Sequence, residues 1–240
     1  MPPSNRKSRP PGTSTSAFGV GRRENHDAEA FYARFQAPVI SLDEEIAVSP
    51  IRNEVLCGDS RRMKELPDNS VALVVTSPPY FVGKAYENGP HSPGAYPEYL
   101  ALLRDVFKEC RRVLEPGGRI CVNVANLGRK PYRSLSSDVI GILQDDLGFL
   151  LRGEVIWLKA EGSSGSCAWG SYRSASNPVL RDVTERIVIA SKGRFDRAQS
   201  ARGKRTRQKL GLPHEDDISA EQFAAATLDV WQIRPESARQ

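Results

Sequence analysis

The residues best suited to chemistry lie together near the end of the first third of the chain. Val71-Ala72-Leu73-Val74-Val75 is an uninterrupted apolar run, and Thr76-Ser77-Pro78-Pro79-Tyr80 follows it directly. Such a run predicts a strand buried on both faces, as in a parallel sheet covered by helices. Two consecutive prolines after it fix the backbone, remove two N–H donors and leave carbonyls that can only accept. Ser77 adds an acceptor and Tyr80 an aromatic face. A loop built this way suits a planar ring that stacks while its amino group donates, which describes a nucleobase amine. A Pro-Pro turn carrying a core tyrosine would use the same residues, although the placement directly after a strand weighs against it.

A loop of this kind needs a framework, and the flanking periodicities supply one. Glu54 to Cys57 is a short strand candidate ending in Gly58-Asp59-Ser60, with Ser60 placed to cap a short helix through about Leu66. From Pro97 to Leu114, Leu100, Leu103, Val106, Phe107, Cys110, Val113 and Leu114 recur at three and four residues, predicting an amphipathic helix with Pro97 in its first turn. Pro116-Gly117-Gly118 stops it. A β run over Arg119–Val124 follows, then a helix around Ser137–Leu147 closed by Gly148, then strands near Glu154–Leu158 and Glu185–Ala190. This alternation argues for an α/β sheet with at least partly parallel strands. Ligands in such sheets bind where strands end at their carboxyl edge, so Gly58-Asp59-Ser60 and Ser77-Pro78-Pro79-Tyr80 are the two segments to search.

Composition bounds the remaining possibilities. The chain has 240 residues, 39% hydrophobic and 26% charged, enough for one globular domain with a sizeable core. No apolar run approaches the ~18 residues of a membrane span. Pro2, Pro3, Pro10, Pro11 and Gly12 occupy the stretch a secretory signal would need, so the chain reads as cytoplasmic. Cys57, Cys110, Cys121 and Cys167 are far apart without CxxC pairing, which suggests neither a disulfide framework nor a metal site. Residues 1–45 read as a disordered tail, with Ala28–Phe35 as a short helical exception. The net charge is +5, yet Lys192 to Lys209 alone holds eight basic residues against Asp196. That segment permits polyanion binding, and a solvated loop accounts for it equally well.

Thr76-Ser77-Pro78-Pro79-Tyr80 resembles the catalytic motif of the exocyclic-amine DNA methyltransferases, in the SPPY form typical of the cytosine-N4, beta-class branch. The likeness extends to Cys57-Gly58-Asp59-Ser60 with Leu66-Pro67-Asp68-Asn69-Ser70-Val71, and to Arg112-Val113-Leu114-Glu115-Pro116-Gly117-Gly118. It continues through Ala168-Trp169-Gly170-Ser171-Tyr172, Ser176-Asn177-Pro178, Glu185-Arg186-Ile187 through Lys192-Gly193, and Asp229-Val230-Trp231. The resemblance implies a Rossmann-like methyltransferase fold with a mixed, mostly parallel sheet. It also implies methyl transfer from S-adenosylmethionine to the N4 amine of a cytosine rotated out of double-stranded DNA, within a restriction-modification system. Adenine N6 is the alternative target, and an inactive DNA-binding remnant the alternative of another class. Methylation at a ring carbon would need a cysteine after proline, and none of the four is so placed.

On this likeness Tyr80 stacks on the target base, Ser77 and the Pro78 carbonyl accept from its amine, and Pro79 completes the catalytic motif. Gly58, Asp59 and Ser77 approach the cofactor. Trp169, Tyr172 and Arg173 form a loop over the base, while Arg202, Lys204, Arg205 and Arg207, in the basic segment 192–217, meet phosphates. The sequence departs from the family in one respect. After Asp-Val-Trp the family continues into a strand and a glycine-containing loop that cradles the cofactor, and no comparable segment is legible in residues 46–240. The catalytic domain therefore reads as incomplete. A truncated product, a fragment of a longer chain, and half of a split enzyme completed by a second polypeptide all fit. A sheet edge left open would then recruit that partner or promote aggregation.

Overall fold

The computed structural model describes residues 38–82, 92–126, 132–159, 170–197, 201–215 and 217–234. By its contacts the chain divides into Met1–Val39 and Ile40–Gln240, and every helix and strand described belongs to the second unit. Ala28–Phe35, Trp169 and Cys167 lie outside the described residues.

The predicted amphipathic helix forms as α1, Tyr96–Val113. Pro97 starts it without sacrificing a helical hydrogen bond, and Glu98 in the first turn and Arg111 and Arg112 in the last complement its dipole. Tyr99, Leu103, Phe107, Cys110 and Val113 form its buried stripe. Phe107, 1% exposed, sits in that core, where truncation to alanine costs about 3–5 kcal/mol. The chain turns straight from Val113 into β2, Leu114–Val124. Gly117 makes this possible. Its φ is +78°, and a Cβ there would stand 1.9 Å from the Asp196 carbonyl oxygen, so no other residue fits without moving that backbone. The second predicted helix begins at α2, Leu135–Gly141, capped by the Ser134 side chain, and widens into a π turn over Ile142–Asp146 before Gly148 closes it at φ +64°.

Among the described residues five strands form one sheet: β1 Val71–Thr76, β2, β3 Leu150–Leu158, β4 Thr184–Ser191 and β5 Val230–Gln232, in the order β1-β2-β4-β3-β5. The sheet is mixed: β1–β2 and β3–β5 are parallel, β2–β4 and β3–β4 antiparallel. Helices α1 and α2 cover one face, where Ile120, Val122 and Val124 of β2 meet Val188 and Ala190 of β4. Two further short helices, α3 Ala201–Lys209 and α4 Ala220–Ala226, complete the described elements. None of the helices is long and apolar enough to cross a membrane, and no metal-holding cluster occurs among the described residues.

Three expectations are corrected. Glu54–Cys57 is not a strand and Ser60–Leu66 is a series of turns, because no neighbouring strand pairs with it among the described residues and Val55 lies fully in solvent. β1 is not buried on both faces: its alternate residues Leu73 and Val75 are 52% and 71% exposed, and β1 forms one edge of the sheet. The basic segment is not simply a loop, since α3 occupies its middle.

Candidate active site

Parallel pairing of Thr76 with Val122 brings the ends of β1 and β2 to one edge, and antiparallel pairing places the start of β4 and the end of β3 beside them. The Ser77–Tyr80 loop leaves β1 there. Two contacts fix its backbone. The Tyr99 hydroxyl of α1 donates to the Pro79 carbonyl at 2.5 Å, and Phe81 stacks on the Tyr99 ring with centroids 5.3 Å apart. Phe81 adopts φ +58°, a left-handed conformation unfavourable for a bulky residue, so tertiary packing holds the loop in a shape it would not choose alone. Tyr99 takes the Pro79 carbonyl, whereas among the described residues no group donates to that of Pro78.

The Tyr80 side chain is fixed by a polar network spanning three further strand ends. Its hydroxyl donates to Glu185 Oε2 at 2.9 Å, receives Asn123 Nδ2 at 2.9 Å and lies 3.0 Å from Ser77 Oγ. Glu185 also accepts from Asn123 Nδ2 and from Lys159 Nζ, both at 2.5 Å. Burial alone would raise the Glu185 carboxyl, but donation from Lys159, Asn123 and Tyr80 outweighs it and holds the group below its ordinary value. Among the described residues no group donates to the buried Asn123 Oδ1, which costs about 1–3 kcal/mol. Beside it opens a small polar cleft of about 90 Å³, lined in part by Asn126, Tyr132, Lys159 and Glu185.

Sequence reasoning assigned no role to Asn123, Lys159 or Tyr99. Asn123 had a readable signal, a polar side chain interrupting the apolar run of β2. Lys159 likewise puts a charge immediately after β3.

Gly58 and Asp59 lie on an exposed turn, and Asp59 lines a charged cleft of about 1020 Å³ with Asp105, Lys108, Asp146 and Lys192, to which Ser77 does not contribute. The Arg61 guanidinium donates to both Asp59 oxygens and brings the Asp59 pKa down to about 2. Of the residues expected on DNA, Tyr172 and Arg173 are exposed on a turn closed by the Gly170–Pro178 bridge.

The basic segment is largely built into the protein. Lys192 Nζ donates to Asn69 Oδ1 and to the Arg112 and Leu114 carbonyls, tying off the end of α1. Arg194 pairs with Asp196 and Arg197 with Glu115. Arg207, expected on phosphate, is 2% exposed and forms a buried ion pair with Glu115, so it is corrected to a structural residue. Lys204 and Arg205 are exposed on α3, and the Arg202 side chain lies outside the described residues. Glu115 is at the start of β2, whereas Ser77 follows the end of the parallel strand β1. The ion pair therefore sits at the opposite edge of the sheet from the Ser77–Tyr80 loop.

This chain is similar to the type II methyltransferase M.MjaVI of Methanocaldococcus jannaschii, with 29% identity over 191 residues, covering 79% of this chain and 90% of that protein. It is 32% identical over 112 residues to the type II methyltransferase M.BglII from Bacillus subtilis, but spans only 30% of that relative's length and 46% of its own. Its fold matches a DNA modification methylase of Thermus thermophilus, a protein also solved in complex with S-adenosyl-L-methionine. That match has a TM-score of 0.52 and 25% identity, covering 75% of this chain and 66% of the other. The N6_N4_Mtase family, described as DNA methylase, matches residues 71–240, from β1 and its Ser77-Pro78-Pro79-Tyr80 loop to the last residue, and the chain belongs to that family.

Proposed function

We propose that the protein methylates an exocyclic amine of a base in double-stranded DNA, with S-adenosylmethionine as donor and cytosine N4 as target. The observation that carries this reading is the Ser77–Tyr80 loop, which is held in a strained shape by Tyr99 and by the network on Glu185. A base rotated out of the duplex stacks on Tyr80 and donates its amine to Ser77 Oγ and the Pro78 carbonyl. These two acceptors orient the nitrogen lone pair, and orientation of this kind supplies a large part of a transfer reaction's rate. When bound, the sulfonium cofactor supplies an electrophilic methyl group, and no enzyme nucleophile is required. The serine in the first motif position favours cytosine, as does the match of the surrounding segment to the cytosine-N4 form. In this reading Tyr172 and Arg173, exposed on their turn, close over the flipped base, and the exposed Lys204 and Arg205 contribute phosphate contacts.

The cofactor surface is shared. Asp59 and Gly58 offer one rim, and the rest comes from a second polypeptide segment that adds a strand to the open edge of β1. The support for this is the place of β1 at the end of the strand order, with no further strand paired to it among the described residues. To test both statements, the gene is expressed in a methylation-free bacterial host, alone and with the polypeptide encoded beside it, and nucleosides from the DNA are analysed by mass spectrometry. N4-methylcytosine supports the reading, N6-methyladenine transfers it to the other amine, and neither product in both arms overturns it. Methylation by the chain alone overturns the shared cofactor surface.

A further inference from the structure

From the hydrogen-bond polarity of the loop we infer that Glu185 is a positioning residue that forces Ser77 to present lone pairs, and not its proton, to the substrate. The inference rests on the proposed role of the Ser77–Tyr80 loop and goes beyond it by naming what sets the direction of its hydrogen bonds. A carboxylate can only accept. Glu185 has three donors around it, Lys159 Nζ and Asn123 Nδ2 at 2.5 Å and the Tyr80 hydroxyl at 2.9 Å. Tyr80 has one proton, and it is spent on Glu185. Toward Asn123 Nδ2 at 2.9 Å and Ser77 Oγ at 3.0 Å its oxygen must therefore accept. The Ser77 proton is consumed in turn, which leaves its oxygen as an acceptor toward the loop's open side, where Ser77 is exposed. A serine hydroxyl is otherwise ambivalent, and a free one would meet a carbonyl as readily as an amine.

The roles of the surrounding groups follow. Lys159 and Asn123 bring only donors to Glu185 and so keep it ionised and accepting. The orientation of the Asn123 amide follows from the same rule, because the reverse would aim its oxygen at the carboxylate. The chain Glu185, Tyr80, Ser77 is a polarity relay without proton transfer. It selects an amine over a carbonyl at the position the loop reads, cytosine over uracil or adenine over hypoxanthine.

The test separates this role from a merely structural one. The methylated site is first located by sequencing DNA modified by the wild type. Duplexes are then made with the target base or its carbonyl analogue opposite an abasic position, so that the cost of extrusion is matched. Wild-type protein, with its partner polypeptide if methylation needs one, should bind the amine base at least about tenfold more tightly than the carbonyl analogue. Glu185→Gln keeps the side chain's size but can donate to Tyr80, which reverses the relay. Its discrimination should fall to within about threefold, with kcat lowered at least about tenfold and KM for DNA little changed. Tyr80→Phe keeps the ring and breaks the relay, and should lose discrimination to the same extent. The double variant should be no worse than either single one. Unchanged discrimination in both single variants overturns the inference while leaving the amine-binding loop standing. Absence of any preference in the wild type overturns the reading of the loop itself.

Discussion

Substitution of Arg207 by methionine separates a structural from a DNA-binding account of the basic segment. Arg207 and Glu115 are each 2% exposed, and Glu115 is shared with Arg197 at 2.5 Å. Removing one partner of a buried ion pair typically costs about 3–5 kcal/mol, because the other charge is left in a poorly solvating environment. Arg197 remains to compensate Glu115 in part, so the loss should lie near the lower end, about 3 kcal/mol, out of a total stability of about 5–15 kcal/mol. For a folded unit of this size each kcal/mol moves the melting temperature by about 2–4 °C, which gives a fall of roughly 6–12 °C by scanning calorimetry. The salt dependence of DNA binding, measured in parallel by fluorescence anisotropy, should not change. Arg207→Met with Glu115→Leu, which removes both charges together, should recover much of the stability. Unaltered melting combined with a log–log salt slope shallower by about 0.9 would show that Arg207 meets a phosphate and refute the reasoning.

The complementary substitution, Lys204→Ala with Arg205→Ala on the exposed side of α3, should leave stability within about 0.5 kcal/mol. If both side chains meet phosphates, the salt slope becomes shallower by about two units, and an unchanged slope removes α3 from the DNA surface. Tyr99→Phe keeps the stack on Phe81 but strips the donor from the Pro79 carbonyl. It should cost about 1 kcal/mol in urea unfolding and lower kcat well beyond what the stability loss explains, and an unaltered kcat would detach loop position from rate. Glu109 is held below its ordinary value, chiefly by hydrogen bonding to Arg112, with the Met63 amide assisting against the cost of burial. A depressed carboxyl adds stability that is complete above its unfolded pKa and is lost as pH falls through the folded one. Wild type and Glu109→Gln should therefore differ most at neutral pH and converge below about pH 4, as followed by urea midpoints across pH. A constant difference would show that Glu109 acts through shape and not charge.

The parts of the molecule that announce themselves in one dimension do so for local reasons. The α1 stripe from Tyr99 to Val113 repeats at helical spacing because one face must meet the sheet. The Pro-Pro loop after Val75 is legible because two prolines permit few conformations. What could not be read depends on partners distant in sequence. Val55 and Leu56 look like a strand by composition, but a strand exists only by pairing, and none of the described residues pairs with them. Leu73 and Val75 look buried on both faces because periodicity records only which residues are apolar, not which face is covered. The basic segment looks like an electrostatic surface because charge counts omit the acids that neutralise it. Glu115 is 92 residues from Arg207, and Asn69 is 123 from Lys192.

The same distance limit explains why a family motif can be recognised from five residues while the groups that hold it in place stay hidden. Ser77 and Tyr80 stand three residues apart, but Asn123, Lys159 and Glu185 come from β2, from just after β3, and from β4, up to 105 residues from Tyr80. They meet only because β4 runs antiparallel to both β2 and β3, which sets its first residues beside their last. In an all-parallel arrangement the start of β4 would lie at the opposite edge, next to Glu115, and no carboxylate from that strand could reach Tyr80. The antiparallel strand is thus what delivers an acceptor-only group to the tyrosine hydroxyl and, through it, fixes which way Ser77 points its proton. Sheet topology here acts directly on the hydrogen-bond pattern of the Ser77–Tyr80 loop.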